Sequence, residues 1–139
     1  MTRVFTTGVF DLFHIGHLNF LRTAKQLGDF LVVGVNTDEF VISYKKRCPI
    51  IPYIYRKEIV QACRWVDLTV KAEDFLPIKY LIDLDINVLA VSSEWKTKNL
   101  VSIEFAQQNG IEVKFIDYSS FVSTTKILND IIRQNFERR

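Results

Sequence analysis

Apolar, β-branched runs alternate with segments of helical periodicity along this chain, and that alternation most narrows its fold. The strand candidates are Val4–Val9, Phe30–Asn36, Leu68–Lys71, Asn87–Ser92 and Glu112–Ile116. The helix candidates are Ile15–Leu27, Asp38–Ser43, Tyr55–Trp65, Ile78–Leu84, Val101–Asn109 and Thr124–Phe136. Strands separated by helices pair in parallel through right-handed crossovers. The pattern therefore predicts an α/β domain, a doubly wound parallel sheet of about five strands with helices on both faces. Near-continuous apolar runs such as Phe30-Leu-Val-Val-Gly-Val suit strands covered on both sides. At 139 residues the chain has the length of one domain with a sizeable core. Gly28 and Gly110 stand just past helix ends, where C-terminal caps are expected. Tyr44–Ile54, with two prolines and the run Lys45-Lys-Arg-Cys-Pro, reads as a loop, and a mobile one.

Open parallel sheets bind ligands at the carboxyl ends of their strands. The segment after the first strand is Gly8-Val-Phe-Asp-Leu-Phe-His-Ile-Gly-His17, which holds both histidines of the chain. Leu18, Leu21, Ala24 and Leu27 follow at helical spacing, so the motif lies where a strand ends and a helix begins. Free N–H groups and the helix dipole favour an anion there. Two imidazoles at that point can donate hydrogen bonds to phosphate without carrying permanent charge. Ser92-Ser-Glu-Trp95 follows the fourth strand and Tyr118–Ser123 the fifth, so all three segments are expected to meet in one cleft.

A net charge of +2 gives no argument for a nucleic-acid partner. No apolar run is long enough to span a membrane, and Met1-Thr-Arg leads straight into a strand pattern rather than a signal peptide. Cys48 and Cys63 have no metal spacing around them and read as reduced thiols. Together these features suggest a cytoplasmic protein.

The His14-x-Gly-His17 motif resembles the signature of the nucleotidyltransferase superfamily, and the chain looks most like its cytidylyltransferases. The first motif is worded as in the phosphocholine branch, whereas the short chain and much of the remainder resemble the glycerol-3-phosphate branch. Leu31-Val-Val-Gly-Val-Asn-Thr-Asp-Glu39, Arg56, Cys63-Arg-Trp-Val-Asp67 and Val122-Ser-Thr-Thr-Lys-Ile127 extend the likeness over nearly the whole chain. It implies a Rossmann-like fold and transfer of a cytidylyl group from CTP to a small phosphorylated acceptor, with Mg²⁺ as cofactor and a homodimer as the assembly. It implies that His14 and His17 contact the triphosphate and that Gly16 permits close approach. It places Gly8, Val9, Phe10 and Asp11 in the nucleotide site, with Asp11 orienting a site group or helping to hold metal. A turn residue bonding its own backbone is the alternative reading of Asp11.

A phosphate-contacting lysine of the family falls on Lys45 or Lys46, and Lys46 is taken as catalytic. With Arg47 they form a basic run that could equally be a solvated face. Arg56, Arg64 and Asp67 are expected in the nucleotide site and near the dimer contact, on the predicted third helix and its flank. Ser92, Glu94 and Trp95 are expected at acceptor or nucleotide contacts. Ser123, Thr124 and Thr125 are expected on the β- and γ-phosphates, a role compatible with capping the last helix. The attacking phosphate is already ionised, so the chemistry needs positioning and charge neutralisation rather than a general base.

The chain departs from the family pattern in three places. Tyr118 stands where an arginine is usual and Phe121 where a glycine is, so one neutral donor replaces a charged fork. Ser92-Ser-Glu replaces an acidic Gly-Asp-Asp, and Val9 replaces the Thr of the glycerol-phosphate branch. Glycerol 3-phosphate is the default acceptor. The departures keep open another acceptor such as L-glutamine phosphate or phosphocholine, for which Phe75, Trp95 and Tyr118 could supply aromatic faces. An adenylyltransferase and a nucleotide-binding protein without catalysis are the competing readings.

Overall fold

The computed structural model describes residues 1–75, 78–98, 100–117 and 122–137. The elements run β1 (Arg3–Gly8), α1 (Ile15–Gln26), β2 (Phe30–Asn36), α2 (Asp38–Lys45), α3 (Tyr53–Ala62) and β3 (Leu68–Ala72). They continue with α4 (Ile78–Asp83), β4 (Val88–Ser92), a 3-10 turn (Ser93–Trp95), α5 (Leu100–Gln108), β5 (Glu112–Ile116) and α6 (Thr124–Glu137). The strands form one parallel sheet in the order β3-β2-β1-β4-β5. The chain winds one way from β1 and then the other, so β1 and β4 meet at the switch point where such sheets take their ligands.

The pleat sorts the apolar runs into two cores, because alternate side chains point to opposite faces. Val4, Leu31, Val33, Val35, Val88 and Ala90 face one side, where Phe20, Leu21, Ala24 and Val60 cover them from α1 and α3. Phe5, Val32, Leu89 and Val91 face the other, covered by Leu81 of α4 and Ala106 of α5. Parallel pairing of Val4 with Leu31 and Val88, and of Phe5 with Val32 and Leu89, keeps each set level across three strands. A slip of one residue would turn both sets over.

Three local expectations change. Gly28 does not take the left-handed conformation of a cap, whereas Gly110 does, at φ +72°. Gly28 is instead demanded by close approach, since a Cβ there would lie 2.6 Å from the Thr2 carbonyl oxygen. Helix α3 begins directly after Pro52 and stops at Ala62, because Cys63 turns to ψ 129°. Arg64 and Trp65 therefore sit in a turn, not on a helix. The Tyr44–Ile54 stretch is shorter as a loop than expected, since α2 and α3 take its two ends. It is also pinned: the Ile50 and Ile51 N–H groups donate to the Asp11 carboxylate at 2.8 and 2.9 Å.

Candidate active site

The carboxyl ends of β1, β2 and β4 and the start of α6 enclose a cavity of about 350 Å³. Gly8, Val9, Phe10, Asp11, His14 and His17 line its floor. The loop after β1 is forced into shape by Phe10 and Leu12, both left-handed at φ 55° and 49°, a conformation that L residues adopt at a cost. Phe10 is thereby buried, with its ring against Gly8, where a Cβ would come within 2.8 Å of it. Gly8 is glycine so that this ring can fold back over the strand end.

The two histidines cap α1 through each other. His14 is the N-cap, and its Nδ1 accepts from the Gly16 N–H at 3.0 Å. His17, one turn on, accepts the His14 N–H on its own Nδ1 at 3.1 Å. This is the reciprocal capping pattern built from imidazoles. A ring that accepts on Nδ1 must carry its proton on Nε2 when neutral. Both rings line the cavity, their centroids 3.9 Å apart. Burial lowers the His14 pKa. Burial, then the neighbouring His14 charge, pushes His17 down to about 3. At neutral pH the pair is two neutral Nε2–H donors at a helix N-terminus, a set suited to phosphate oxygens that would otherwise impose protonation. Gly16 contributes through its backbone, engaged by His14, and does not line the cavity.

Asp11 and Arg56 set the geometry around this pair. The Asp11 carboxylate accepts the N–H groups of Leu12, Ile50 and Ile51, and its carbonyl accepts from Thr124 Oγ1 at 2.9 Å. It lines the cavity while serving as the knot that ties the first motif, the loop after α2 and α6 together. Arg56 is fully buried and is not a cavity group. Its guanidinium donates to the Ile51 and Val9 carbonyls at 2.8 and 2.7 Å and to Asp38 at 2.7 Å. The expected nucleotide contact is replaced by a structural one, because the fork is used up beneath the floor that Val9 forms.

Of the basic run, Lys45 and Arg47 line the cavity and Lys46 does not. Lys46 ends α2 in the left-handed conformation, and its Nζ turns back to the Ser43 carbonyl at 3.0 Å. Burial and Arg47 lower the Lys45 pKa, against the opposing pull of Glu94 and Asp11. Ser92, Glu94, Trp95, Ser123, Thr124 and Thr125 all line the cavity. Ser123 also caps α6, its Oγ accepting from the Lys126 N–H at 3.0 Å. Arg64 and Asp67 lie elsewhere. Arg64 is exposed and stacks on Trp65. Asp67 binds Lys25 and the Leu31 N–H at the amino end of the sheet, the edge opposite the cavity. Tyr118 and Phe121 lie outside the described residues.

Asn36, Phe40, Tyr44 and Asp74 line the cavity without having been singled out in the sequence. Asn36 was within reach of the strand-end rule, since it closes the second strand. The others look like core or loop until α2 is seen to run to Lys45. Among the described residues no cluster of three His, Cys, Asp or Glu side chains could hold a metal ion. Asp11 is committed to backbone, while Glu94 faces the cavity with no ion pair or hydrogen bond among the described residues. That donor set fits Mg²⁺ only as an ion carried by substrate phosphates, which is how Mg²⁺ is commonly bound.

The cytidylyltransferase-like family model matches residues 5–130. Over 132 residues the chain is 36% identical to glycerol-3-phosphate cytidylyltransferase of Bacillus subtilis, covering 94% of this chain and 98% of that one. It is also 36% identical over 131 residues to the bifunctional protein HldE of Campylobacter fetus, covering 94% of this chain and 28% of that protein. Among solved structures, the lipopolysaccharide core biosynthesis protein from Thermoplasma volcanium superimposes with a TM-score of 0.72 at 28% identity. That match covers 88% of this chain and 99% of the other.

Proposed function

This chain belongs to the cytidylyltransferase-like family, and on that premise we propose that it transfers the cytidylyl group of CTP to a small phosphorylated acceptor. An acceptor phosphate oxygen attacks the α-phosphorus in line, the bond to the β-phosphate oxygen breaks, and pyrophosphate leaves. The observation that carries this reading is the His14–His17 pair, with both Nδ1 atoms committed to backbone and both rings on the cavity. Two fixed neutral donors can follow the charge that develops at the α-phosphate without a proton transfer, and preorganised donors of this kind contribute about 3 kcal/mol each to barrier lowering. Lys45 and Arg47, both on the cavity, add positive charge to a site that must bring two anionic substrates together. The N-terminus of α6, whose Ser123, Thr124 and Thr125 line the cavity, would take the leaving phosphates in this reading. Mg²⁺ bound to the triphosphate would neutralise the leaving group, with Glu94 a carboxylate on the cavity able to support it.

We further propose a homodimer. Ile50, Ile54, Tyr55 and Ile59, on α3 and the loop before it, are large and exposed. Light scattering of the wild type and of Ile54→Glu tests this, the variant shifting toward monomer. No helix among the described residues is long and apolar enough to cross a membrane.

The test of the reaction is pyrophosphate release with Mg²⁺ and CTP or ATP against a panel of phosphomonoesters, including glycerol 3-phosphate. Release that requires CTP and one acceptor supports the reading. Release with ATP alone replaces it with adenylyl transfer, and CTP binding without release under any acceptor replaces it with a binding role.

A further inference from the structure

Phe13 does not line the cavity, yet its ring lies on one of the two imidazoles that do. It stands immediately before His14, the cap of α1. An apolar residue at that position commonly packs onto the first turn of the helix and fixes the entry of the chain. In this chain the surface it packs on is His17. The Phe13 ring stacks on the imidazole with centroids 5.3 Å apart and planes at 29°. Phe13 also packs against the core that α1 and α3 cover. Phe10 meets the same imidazole edge-on, at 5.6 Å and 62°, and the His14 ring lies 3.9 Å away. Among these three rings His17 is 7% exposed.

One hydrogen bond leaves His17 underdetermined. The His14 N–H fixes Nδ1 at 3.1 Å, but a ring held at one atom can tilt about it, and Nε2 on the far side moves most. A donor aimed at developing charge must keep its place, since a displacement of about 1 Å can cost about 10²-fold in rate. Packing on the ring supplies the missing restraint. Phe10 is itself fixed, left-handed at φ 55° and folded back over Gly8, so it offers a rigid edge. Phe13 offers a face.

The same face keeps water from the imidazole. Burial is the larger cause of the low His17 pKa, and the charge of His14 the smaller. The titratable and charged side chains on the cavity that His17 faces are Asp11, His14, Lys45, Arg47, Asp74 and Glu94. A Phe13 substitution changes none of the six, so a change in His17 titration reports lost cover. The sign is informative as well. An aromatic face attracts a cation, so if that attraction were what Phe13 supplied, its removal would lower the pKa further. Lost cover raises it.

We propose that Phe13 is a positioning residue for the phosphate chemistry: its ring, stacked on His17, holds the imidazole plane and shuts water away from it, so that Nε2–H stays one fixed donor toward the cavity. The effect on turnover rests on the cytidylyl-transfer reading. The effect on His17 itself does not.

The chain has two histidines, so His17 is assigned in nitrogen-15 imidazole spectra by its loss in His17→Gln. In the wild type it should keep the Nε2–H tautomer without titrating between about pH 8 and pH 5. In Phe13→Ala it should titrate within that range, a rise of about two units toward the ordinary value of about 6.5. Phe13→Val, a smaller truncation, should move it in the same direction and stands in where Phe13→Ala does not fold. With CTP, Mg²⁺ and an acceptor that supports turnover, the truncation should lower kcat about tenfold or more while CTP affinity stays within about twofold. Phe13→Tyr, which keeps the ring, should stay within about threefold of the wild type. In a His17→Gln background the truncation should change kcat by less than about twofold, because the ring then has no imidazole to hold. A His17 titration left unmoved or lowered by truncation overturns the proposal. So does an equal loss of kcat with and without His17, which would make Phe13 a packing residue only. If no acceptor supports turnover, the spectra decide alone: a raised His17 titration supports the positioning role while the transfer reading fails.

Discussion

The His14 N–H donates to Nδ1 of His17 at 3.1 Å, while His14 Nδ1 itself accepts from Gly16. Neither ring can take a second proton without losing the bond that caps α1. The site's donors and the helix start are therefore one device, and acid must attack both together.

The pH dependence of stability follows from His17. Its pKa is about 3 in the folded chain against about 6.5 when unfolded. Between those values the unfolded state binds more protons than the native one, so stability rises with pH and is lost as pH falls from 6.5 toward 3. The slope from this group is about 1.4 kcal/mol per pH unit. Urea unfolding at pH 7 and pH 5 should show the wild type losing about 2 kcal/mol more than His17→Gln, which has nothing to titrate. Equal losses would show that His17 is protonated in the folded chain.

The same residue should act on turnover more than on binding. His17→Ala is expected to lower kcat by a factor of about 10²–10³ while CTP affinity falls far less. Isothermal titration with CTP beside steady-state pyrophosphate release separates the two. Matching losses would make His17 a ground-state anchor.

Arg56 shows where sequence reasoning stops. Its neighbours in the chain make it look like a helix-surface or nucleotide-site arginine, and only the packing of α3 under the loop after α2 reveals full burial with three acceptors. The strands were legible as short apolar, β-branched runs set between helical patterns, and the cavity's place followed from strand order. The end of α3 was not legible, since Arg64-Trp-Val-Asp67 continues an apolar rhythm that Cys63 has already broken by leaving helical geometry. Asn36 Oδ1, buried without a partner among the described residues, was hidden for another reason: an orphaned polar atom exists only once neighbouring strands have closed around it.

Removal of that buried fork should be a stability lesion rather than a binding one. Arg56→Ala leaves the Val9 and Ile51 carbonyls and Asp38 without their donor, and is expected to cost about 3–5 kcal/mol in urea unfolding. Arg56→Lys restores charge but not the three-way geometry and should recover less than half of the loss. A stably folded Arg56→Ala protein with selectively weakened CTP binding would return the residue to the nucleotide site.

Lys45 and Lys46 are adjacent in sequence and opposite in consequence. The left-handed turn at Lys46 sends its Nζ back to the Ser43 carbonyl, whereas Lys45 faces the cavity beside Arg47. Lys45→Ala removes a cation from a site that must gather two anionic substrates, and kcat/KM should fall by about 10–10²-fold. Lys46→Ala gives up one exposed bond, and its kcat/KM should stay within about twofold. The expected order reverses only if the loop rearranges on substrate binding so that Lys46 swings inward. A larger loss for Lys46→Ala than for Lys45→Ala would therefore identify that rearrangement, because the α2 cap in this structure gives Lys46 no path to the phosphates.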